Sequence, residues 1–265
     1  MYEFKYHRPA TVRQAANLLV KNEDAKVIAG GHTLVPVMKQ RLASPPHLVD
    51  LSHIEGLDAI EMKGRSLVIG ATASHADVAT SPIVGDAIPA LAELAGGIGD
   101  PAVRHKGTIG GSLANNDPAA DYPAAVLALS ATVVTNKRKI AADEFFKDMY
   151  ETALQKGEII TSVSFPVPKR AAYMKFKNPA SRYAIVGVFV ADFGTGVRVA
   201  VTGAGPSVFR VAAMEKALAA KFAPESVANI AVPEKGLNSD LHAKADYRAH
   251  LITVMAKRAV EAAVK

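Results

Sequence analysis

The sequence predicts an α+β fold: two α/β subdomains followed by a small antiparallel sheet with C-terminal helices. Three observations predict it. Short strands and helices alternate through residues 1–56; paired strands around a tight turn open the stretch 57–168; and the prolines of Phe165-Pro166-Val167-Pro168 stiffen a boundary before a strand-rich, then helical, segment 169–265.

Each element has a local reason. Thr11-Val12-Arg13-Gln14 is a capping-box start, and Val12, Ala15, Ala16, Leu18 and Leu19 follow at helical spacing. Lys26 to Ala29 is a short strand running into a glycine loop, Leu34 to Leu42 predicts a helix, and His47 to Leu51 the next strand. Strand, helix and strand with short connections imply parallel pairing, which places Gly30-Gly31 at the carboxyl edge of a sheet, where α/β folds bind ligands. The second subdomain opens with a hairpin, Ala59 to Met62 and Ser66 to Gly70, about Lys63-Gly64-Arg65. Ser74-His75-Ala76-Asp77 caps a short helix, Ala87 to Ala95 reads as another, and Tyr122 to Leu129 as a third. Ala131 to Thr135 and Lys139 to Ala141 pair across a basic turn. The last subdomain predicts three antiparallel strands, Tyr173 to Phe176, Ile185 to Phe193 and Val197 to Val201, then helices over Arg210 to Ala220 and Tyr247 to Val264.

Composition excludes several function classes. The chain has 265 residues, 49% hydrophobic and 21% charged, enough for a sizeable core. No cysteine is present, so disulfides, thiolate zinc, iron–sulfur ligation and a cysteine nucleophile are ruled out in this chain. The net charge of +6 comes from scattered lysines and arginines without an aromatic-studded stripe, which argues against nucleic-acid binding. The longest apolar stretch, Ala124 to Val134, is broken by Ser130 and falls short of the roughly 20 residues of a membrane span. Met1-Tyr2-Glu3-Phe4 lacks a signal pattern, so a cytoplasmic protein is expected.

Two loops carry the chemistry. Ala29-Gly30-Gly31-His32-Thr33 and Thr108-Ile109-Gly110-Gly111-Ser112 share paired glycines with neighbouring hydroxyl groups. Glycine takes φ > 0 without a Cβ clash, so each pair is expected to turn backbone N–H groups inward into an anion nest, the two together gripping a pyrophosphate. The bland reading is two ordinary turns. Asp121, in Asp117-Pro118-Ala119-Ala120-Asp121, either caps the following helix or accepts hydrogen bonds from sugar hydroxyls. There is no Walker loop and no Gly-x-Gly-x-x-Gly, and Gly203-Ala204-Gly205 reads as a tight turn. No helical His pair for zinc, no Gly-x-Ser-x-Gly elbow and no general acid–base set is evident, so neither a catalytic residue nor a metal ligand is assigned.

The two glycine loops, the run Ile98-Gly99-Asp100-Pro101-Ala102-Val103-Arg104 and Asp117-Pro118-Ala119-Ala120-Asp121 together resemble the FAD-binding medium subunit of molybdenum hydroxylases, of the carbon monoxide dehydrogenase type within the xanthine dehydrogenase family. The likeness extends from Tyr6-His7-Arg8-Pro9 through Gly157-Glu158-Ile159-Ile160 to Ser239-Asp240-Leu241-His242 and Tyr247-Arg248.

This resemblance implies a PCMH-type FAD-binding domain formed by the first two subdomains. Both loops would hold the FAD pyrophosphate and Asp121 the sugar-like part. Leu154 and Ile160 match positions lining the site, although as bare sequence they read as core. Lys175 matches a flavin-contacting lysine, with Lys177 on the same face of an alternating strand as its rival, and Tyr183 matches an aromatic packed on the isoalloxazine ring. The family further implies a large partner subunit with the molybdenum cofactor, a small one with two [2Fe–2S] clusters, a dimer of heterotrimers, and cytoplasmic location with peripheral attachment to the inner membrane through the electron acceptor as an option. Electrons would leave the complex through this chain's FAD. Two other readings stay open: a self-sufficient flavin oxidase of the same fold, with His32 as a covalent attachment point, and a nucleotide-binding scaffold without redox function.

Overall fold

Parallel pairing builds the first unit, in a computed structural model that describes all residues from 1 to 265. Its elements are β1 (Lys5–His7), α1 (Val12–Lys21), β2 (Lys26–Ile28), α2 (Leu34–Lys39) and β3 (His47–Asp50), with sheet order β1-β3-β2 and both pairings parallel. Thr11 caps α1 by accepting from the Gln14 N–H, and the Gln14 side chain accepts from the Ala10 N–H. The core here is only seven residues, Ala15, Leu19, Val49, Leu51, Ile54, Leu57 and the distant Ile159. Such a core cannot support an independent domain, so the unit depends on docking against the rest of the chain. Gly157, at φ +70°, provides one contact: a Cβ there would stand 2.6 Å from Val20 Cγ2 of α1.

The second unit runs β4 (Ile60–Lys63), β5 (Ser66–Gly70), α3 (His75–Thr80), α4 (Pro82–Ala87), α5 (Pro89–Gly96), α6 (Pro101–Arg104), α7 (Ile109–Asn115), α8 (Tyr122–Ala128), β6 (Thr132–Thr135), β7 (Lys139–Ala141), α9 (Ala142–Phe145), β8 (Phe146–Asp148), β9 (Glu151–Thr152) and β10 (Ile160–Pro166). Antiparallel pairing gives the order β4-β5-β10-β6-β7, with β8 and β9 as a separate ribbon. The helix expected over Ala87 to Ala95 is α5, and a further short helix, α4, precedes it. Ser81 caps α4 and Pro89 begins α5, because proline has no N–H to continue a helix but fits its first turn. The segment after Thr108, expected as a loop, is the helix α7.

The third unit comprises β11 (Arg170–Lys177), β12 (Ala184–Asp192), β13 (Val197–Thr202), β14 (Phe209–Arg210), α10 (Ala212–Ala220), a 3₁₀ turn at Pro224–Ser226 and α11 (Ala245–Ala263). Its antiparallel sheet has four strands rather than the three expected. The added β14 is two residues long, too short to show a period. Strand β12 is buried along its whole length, and alternation sends its residues into two cores. Phe189 and Ala191 join the core of the second unit, while Val186, Val188 and Val190 join that beneath α11.

The turn carrying Leu154 hangs on a buried carboxylate. Glu158 accepts from Arg138 Nε at 2.9 Å, Thr135 Oγ1 at 2.8 Å and the Gln155 N–H at 2.9 Å. These donors, Arg138 foremost, depress its pKa to about 2 against the burial that opposes them. The folded-state value lies below the unfolded one, so the stabilisation is complete above about pH 4.5 and disappears as pH falls toward 2. Glu158→Gln should therefore lower stability at pH 7 by on the order of 2 kcal/mol, the full shift being discounted because Arg138 is exposed. Melting curves at pH 7 and pH 3 check this: the gap between wild type and variant should narrow at the lower pH.

Candidate flavin site

The first glycine loop follows β2 at the carboxyl edge of the parallel sheet, as its sequence predicts. Gly31 is left-handed at φ +73°. The backbone N–H groups of Gly30, Gly31, His32 and Thr33 find no acceptor within the chain, and His32 and Thr33 are exposed. Four donors without an acceptor thus surround a left-handed glycine, the feature on which an anion nest is built. Ala29 leads into it, and Thr33 opens α2 without a side-chain cap of its own.

The second loop is built differently, and the expectation of a matching nest is corrected here. Thr108 caps α7, so Gly110 and Gly111 lie in its first turn, neither with positive φ. All four leading N–H groups are already bonded: Ile109 to the Ala73 carbonyl, Gly110 to that of Ala71, Gly111 to Thr108 Oγ1 and Ser112 to the Thr108 carbonyl, at 2.9–3.1 Å. Glycine serves close approach instead. A Cβ on Gly110 would stand 2.6 Å from the Ala71 carbonyl oxygen. What this loop offers an anion is the positive end of a helix covered by the bare, exposed backbone of Gly111 and the Ser112 hydroxyl.

The two loops do meet. A Cβ on Gly30 would fall 1.7 Å from the Lys106 carbonyl oxygen, so the nest rests directly on the backbone leading into α7. His75 supports that segment from behind. Its N–H donates to the Gly107 carbonyl at 2.9 Å, and its ring Nε2 sits where a Cβ on Gly107 would go, 2.5 Å away. Burial, reinforced by the charges of His32 and Arg104, lowers the His75 pKa to about 4, so the imidazole is neutral at physiological pH. Sequence reasoning saw this histidine only as part of a helix cap.

Asp121 does not cap α8, although it occupies the position before it; its backbone is already helical and its side chain turns inward. There it accepts from Tyr173 Oη at 2.5 Å and from Lys175 Nζ at 3.0 Å, and Lys175 also donates to the Gly97 carbonyl at 3.0 Å. Burial raises the Asp121 pKa, opposed by Lys175 and Tyr173. A register shift after Phe176 leaves Lys177 exposed, whereas the Lys175 side chain is 9% exposed and paired with Asp121. Tyr183, 51% exposed, borders a cleft of about 450 Å³ together with Asp117, Tyr150, Asn178 and His242. The glycine loops are not among the residues lining that cleft. Ile160 is buried in the core of the second unit and Leu154 packs against it, as their bare sequence suggests.

A parallel three-stranded sheet docked on an antiparallel five-stranded one, with an anion nest at their junction, defines the class as a flavin-binding domain of the PCMH type. Residues 2–168 match the family model described as "FAD binding domain in molybdopterin dehydrogenase". The chain is 37% identical to the carbon monoxide dehydrogenase medium chain of Hydrogenophaga pseudoflava, over 98% of this chain and 96% of that one. It is 36% identical to the nicotine 6-hydroxylase medium subunit of Paenarthrobacter nicotinovorans, over 97% and 95% respectively. A solved carbon monoxide dehydrogenase from H. pseudoflava, lacking the Mo-pyranopterin moiety of its molybdenum cofactor, superposes with a TM-score of 0.87 at 36% identity, covering 99% of this chain and 98% of that chain. The chain belongs to the family of FAD-binding medium subunits of molybdenum hydroxylases.

The two glycine pairs should respond differently to a methyl group. Gly30→Ala drives a Cβ into a backbone carbonyl and should cost about 3 kcal/mol. Gly111→Ala meets only Thr108 Oγ1, at 2.9 Å, and gains helix propensity, so its stability should stay within about 1 kcal/mol of wild type. Thermal melting decides; a Gly30→Ala protein that melts with wild type would disprove the close docking of the loops.

Proposed function

We propose that this chain is the electron exit of a heterotrimeric molybdenum hydroxylase, passing electrons from [2Fe–2S] clusters of a small partner subunit through its FAD to an external acceptor. The observation that carries the reading is the open nest at Gly30–Thr33 resting against the start of α7, which suits a group with two adjacent negative charges. In this reading the four N–H groups of residues 30–33 hold one phosphate, with Ala29 shaping the approach. The α7 terminus, from Thr108 through Ile109, Gly110 and Gly111 to Ser112, faces the other. Asp121 keeps unused lone pairs on both oxygens for sugar-like hydroxyls, since each carboxylate oxygen accepts more than one hydrogen bond. Leu154, backed by the buried Ile160, gives an apolar edge, while Lys175 and Tyr183 flank the ring.

FAD, when bound, supplies a centre that takes up electrons singly and releases them singly or in pairs. The protein's part is to bind it, orient it and shield it. With no cysteine the chain holds no iron–sulfur relay of its own, and no acid–base pair is arranged for substrate chemistry, so selection of carbon monoxide, an aldehyde or an N-heterocycle falls to the large subunit. Assembly as a dimer of heterotrimers and action in the cytoplasm, with attachment to the inner membrane through the acceptor, complete the proposal. No helix is long and apolar enough to cross a membrane.

The purified chain should carry stoichiometric FAD that acid precipitation releases into the supernatant. Flavin remaining in the pellet would favour the His32-linked oxidase. The isolated chain should oxidise nothing, and its flavin should bleach on addition of the cognate substrate only when both partner subunits are present. Substrate-driven bleaching of the chain alone would overturn the electron-exit reading. Tyr183→Ala should leave folding intact while altering the flavin spectrum and slowing reoxidation, one aromatic contact being worth about 0.5–1.5 kcal/mol; an unchanged spectrum and rate would remove Tyr183 from the site.

A further inference from the structure

Tyr173 is an expensive residue for a core position. Its ring stacks on Phe189 at 6.1 Å and lies fully within the apolar interior, where phenylalanine would fill the same space without a hydroxyl to desolvate. The neighbouring strand makes room for the outer end of that ring, where a Cβ on Gly187 would meet the hydroxyl most closely and also Tyr173 Cζ and Thr202 Cγ2. Gly187, which pairs with Lys175 in the β11–β12 register, has an ordinary φ, so its backbone does not demand glycine. Space demands it: a Cβ there would stand 2.2 Å from Tyr173 Oη. A glycine in mid-strand and a buried phenol both cost stability, and both serve one hydrogen bond, Tyr173 Oη to Asp121 Oδ1.

The other Asp121 oxygen receives Lys175 at 3.0 Å, and the loop that carries Asp121 is tied to the same sheet. Thr202 Oγ1 lies 2.6 Å from the Ala120 carbonyl, and the N–H groups of Gly203 and Ala184 donate to the carbonyls of Pro118 and Ala119. The C-terminal sheet therefore sets where Asp121 and Lys175 stand. Tyr173 contributes the uncharged contact to the carboxylate itself, beside that of Lys175.

We propose that Tyr173 is a positioning residue for the flavin site: reaching through the gap at Gly187, its hydroxyl fixes the Asp121 carboxylate, and through it the Lys175 ammonium, in the geometry they present to FAD. This rests on the reading that Asp121 and Lys175 face the cofactor. The hydroxyl also has an electrostatic role. Burial raises the Asp121 pKa, and the Tyr173 donor, with Lys175, opposes that rise.

The test uses the full chain reconstituted with FAD, in wild-type, Tyr173→Phe, Gly187→Ala and doubly substituted forms, each checked for folding by thermal melting. FAD affinity is read from flavin fluorescence titration, and the midpoint potential from spectroelectrochemistry between pH 6 and 9. Tyr173→Phe should weaken FAD binding about tenfold and change the pH dependence of the potential, a change that lost packing would not produce. Gly187→Ala, which displaces the hydroxyl while keeping it, should reproduce both effects. The double variant should bind no more weakly than the weaker single one, because both act on one hydrogen bond. Tyr173→Phe with wild-type affinity and potentials, whatever its melting temperature, would overturn the inference, as would fully additive losses in the double variant. If Tyr173→Phe does not fold, Gly187→Ala alone decides by the same readouts. A wild-type chain that takes up no FAD would instead overturn the functional reading beneath it, and this inference with it.

Discussion

The tightest joint between the first two units is a backbone contact, where Gly30 presses on the carbonyl of Lys106. The first unit has a core of seven residues and cannot hold itself in place, so its position on the larger antiparallel unit must come from contacts across the junction. At this point the two chains of peptide units approach so closely that no side chain fits between them. Such contacts are rigid in a way that packed side chains are not, because neither partner has a rotamer through which to yield. The anion nest thus becomes fixed relative to the α7 terminus. A site that depends on two elements from different sheets needs that kind of joint.

The two halves of the proposed site would address negative charge by different means. Residues 30–33 present unpaired N–H groups directly, while α7 has spent its leading N–H groups on its own cap and on β5's continuation, and offers chiefly the field of the helix end. Neutral His75 behind the second element fits this division. A charged imidazole would be costly to bury and would repel Arg104; the neutral ring instead packs against Gly107, while the main-chain N–H of His75 donates to the Gly107 carbonyl.

Much of this was legible in the sequence where the signal was local and periodic. Capping residues at Thr11 and Ser74, the hairpin about Lys63-Gly64-Arg65 and the helical spacing near the C-terminus all correspond to observed elements. The position of the first glycine loop at a strand's carboxyl end was equally readable. The second glycine pair misled because Gly-Gly arises from two causes, a need for positive φ and a need for space, and only the surroundings distinguish them: Ala71 lies far from Gly110 in sequence but excludes a Cβ in space. Asp121 failed as a cap for a similar reason. Its partners Tyr173 and Lys175 come from a strand some fifty positions later, 52 and 54 residues away, beyond the reach of any local rule. Neither Tyr173 nor Gly187 carried a signal of its own, since an aromatic and a glycine in a buried strand are each unremarkable until their contact is seen.

That long-range contact changes how the third unit is understood. A sheet that only completed a core would need apolar side chains, and β12 supplies them to both of its faces. Strand β11 does more: it sends Tyr173 and Lys175 to one carboxylate of the second unit, while β12 and β13 hold the adjoining loop by its carbonyls through Ala184, Thr202 and Gly203. The ring end of the proposed flavin site is therefore framed by the third unit and its phosphate end by the first. The second unit lies between them and contributes to both. In the proposed reading, a chain organised in this way would hold its cofactor only when all three units are docked, as suits a subunit that keeps one redox centre at a fixed place within a larger assembly.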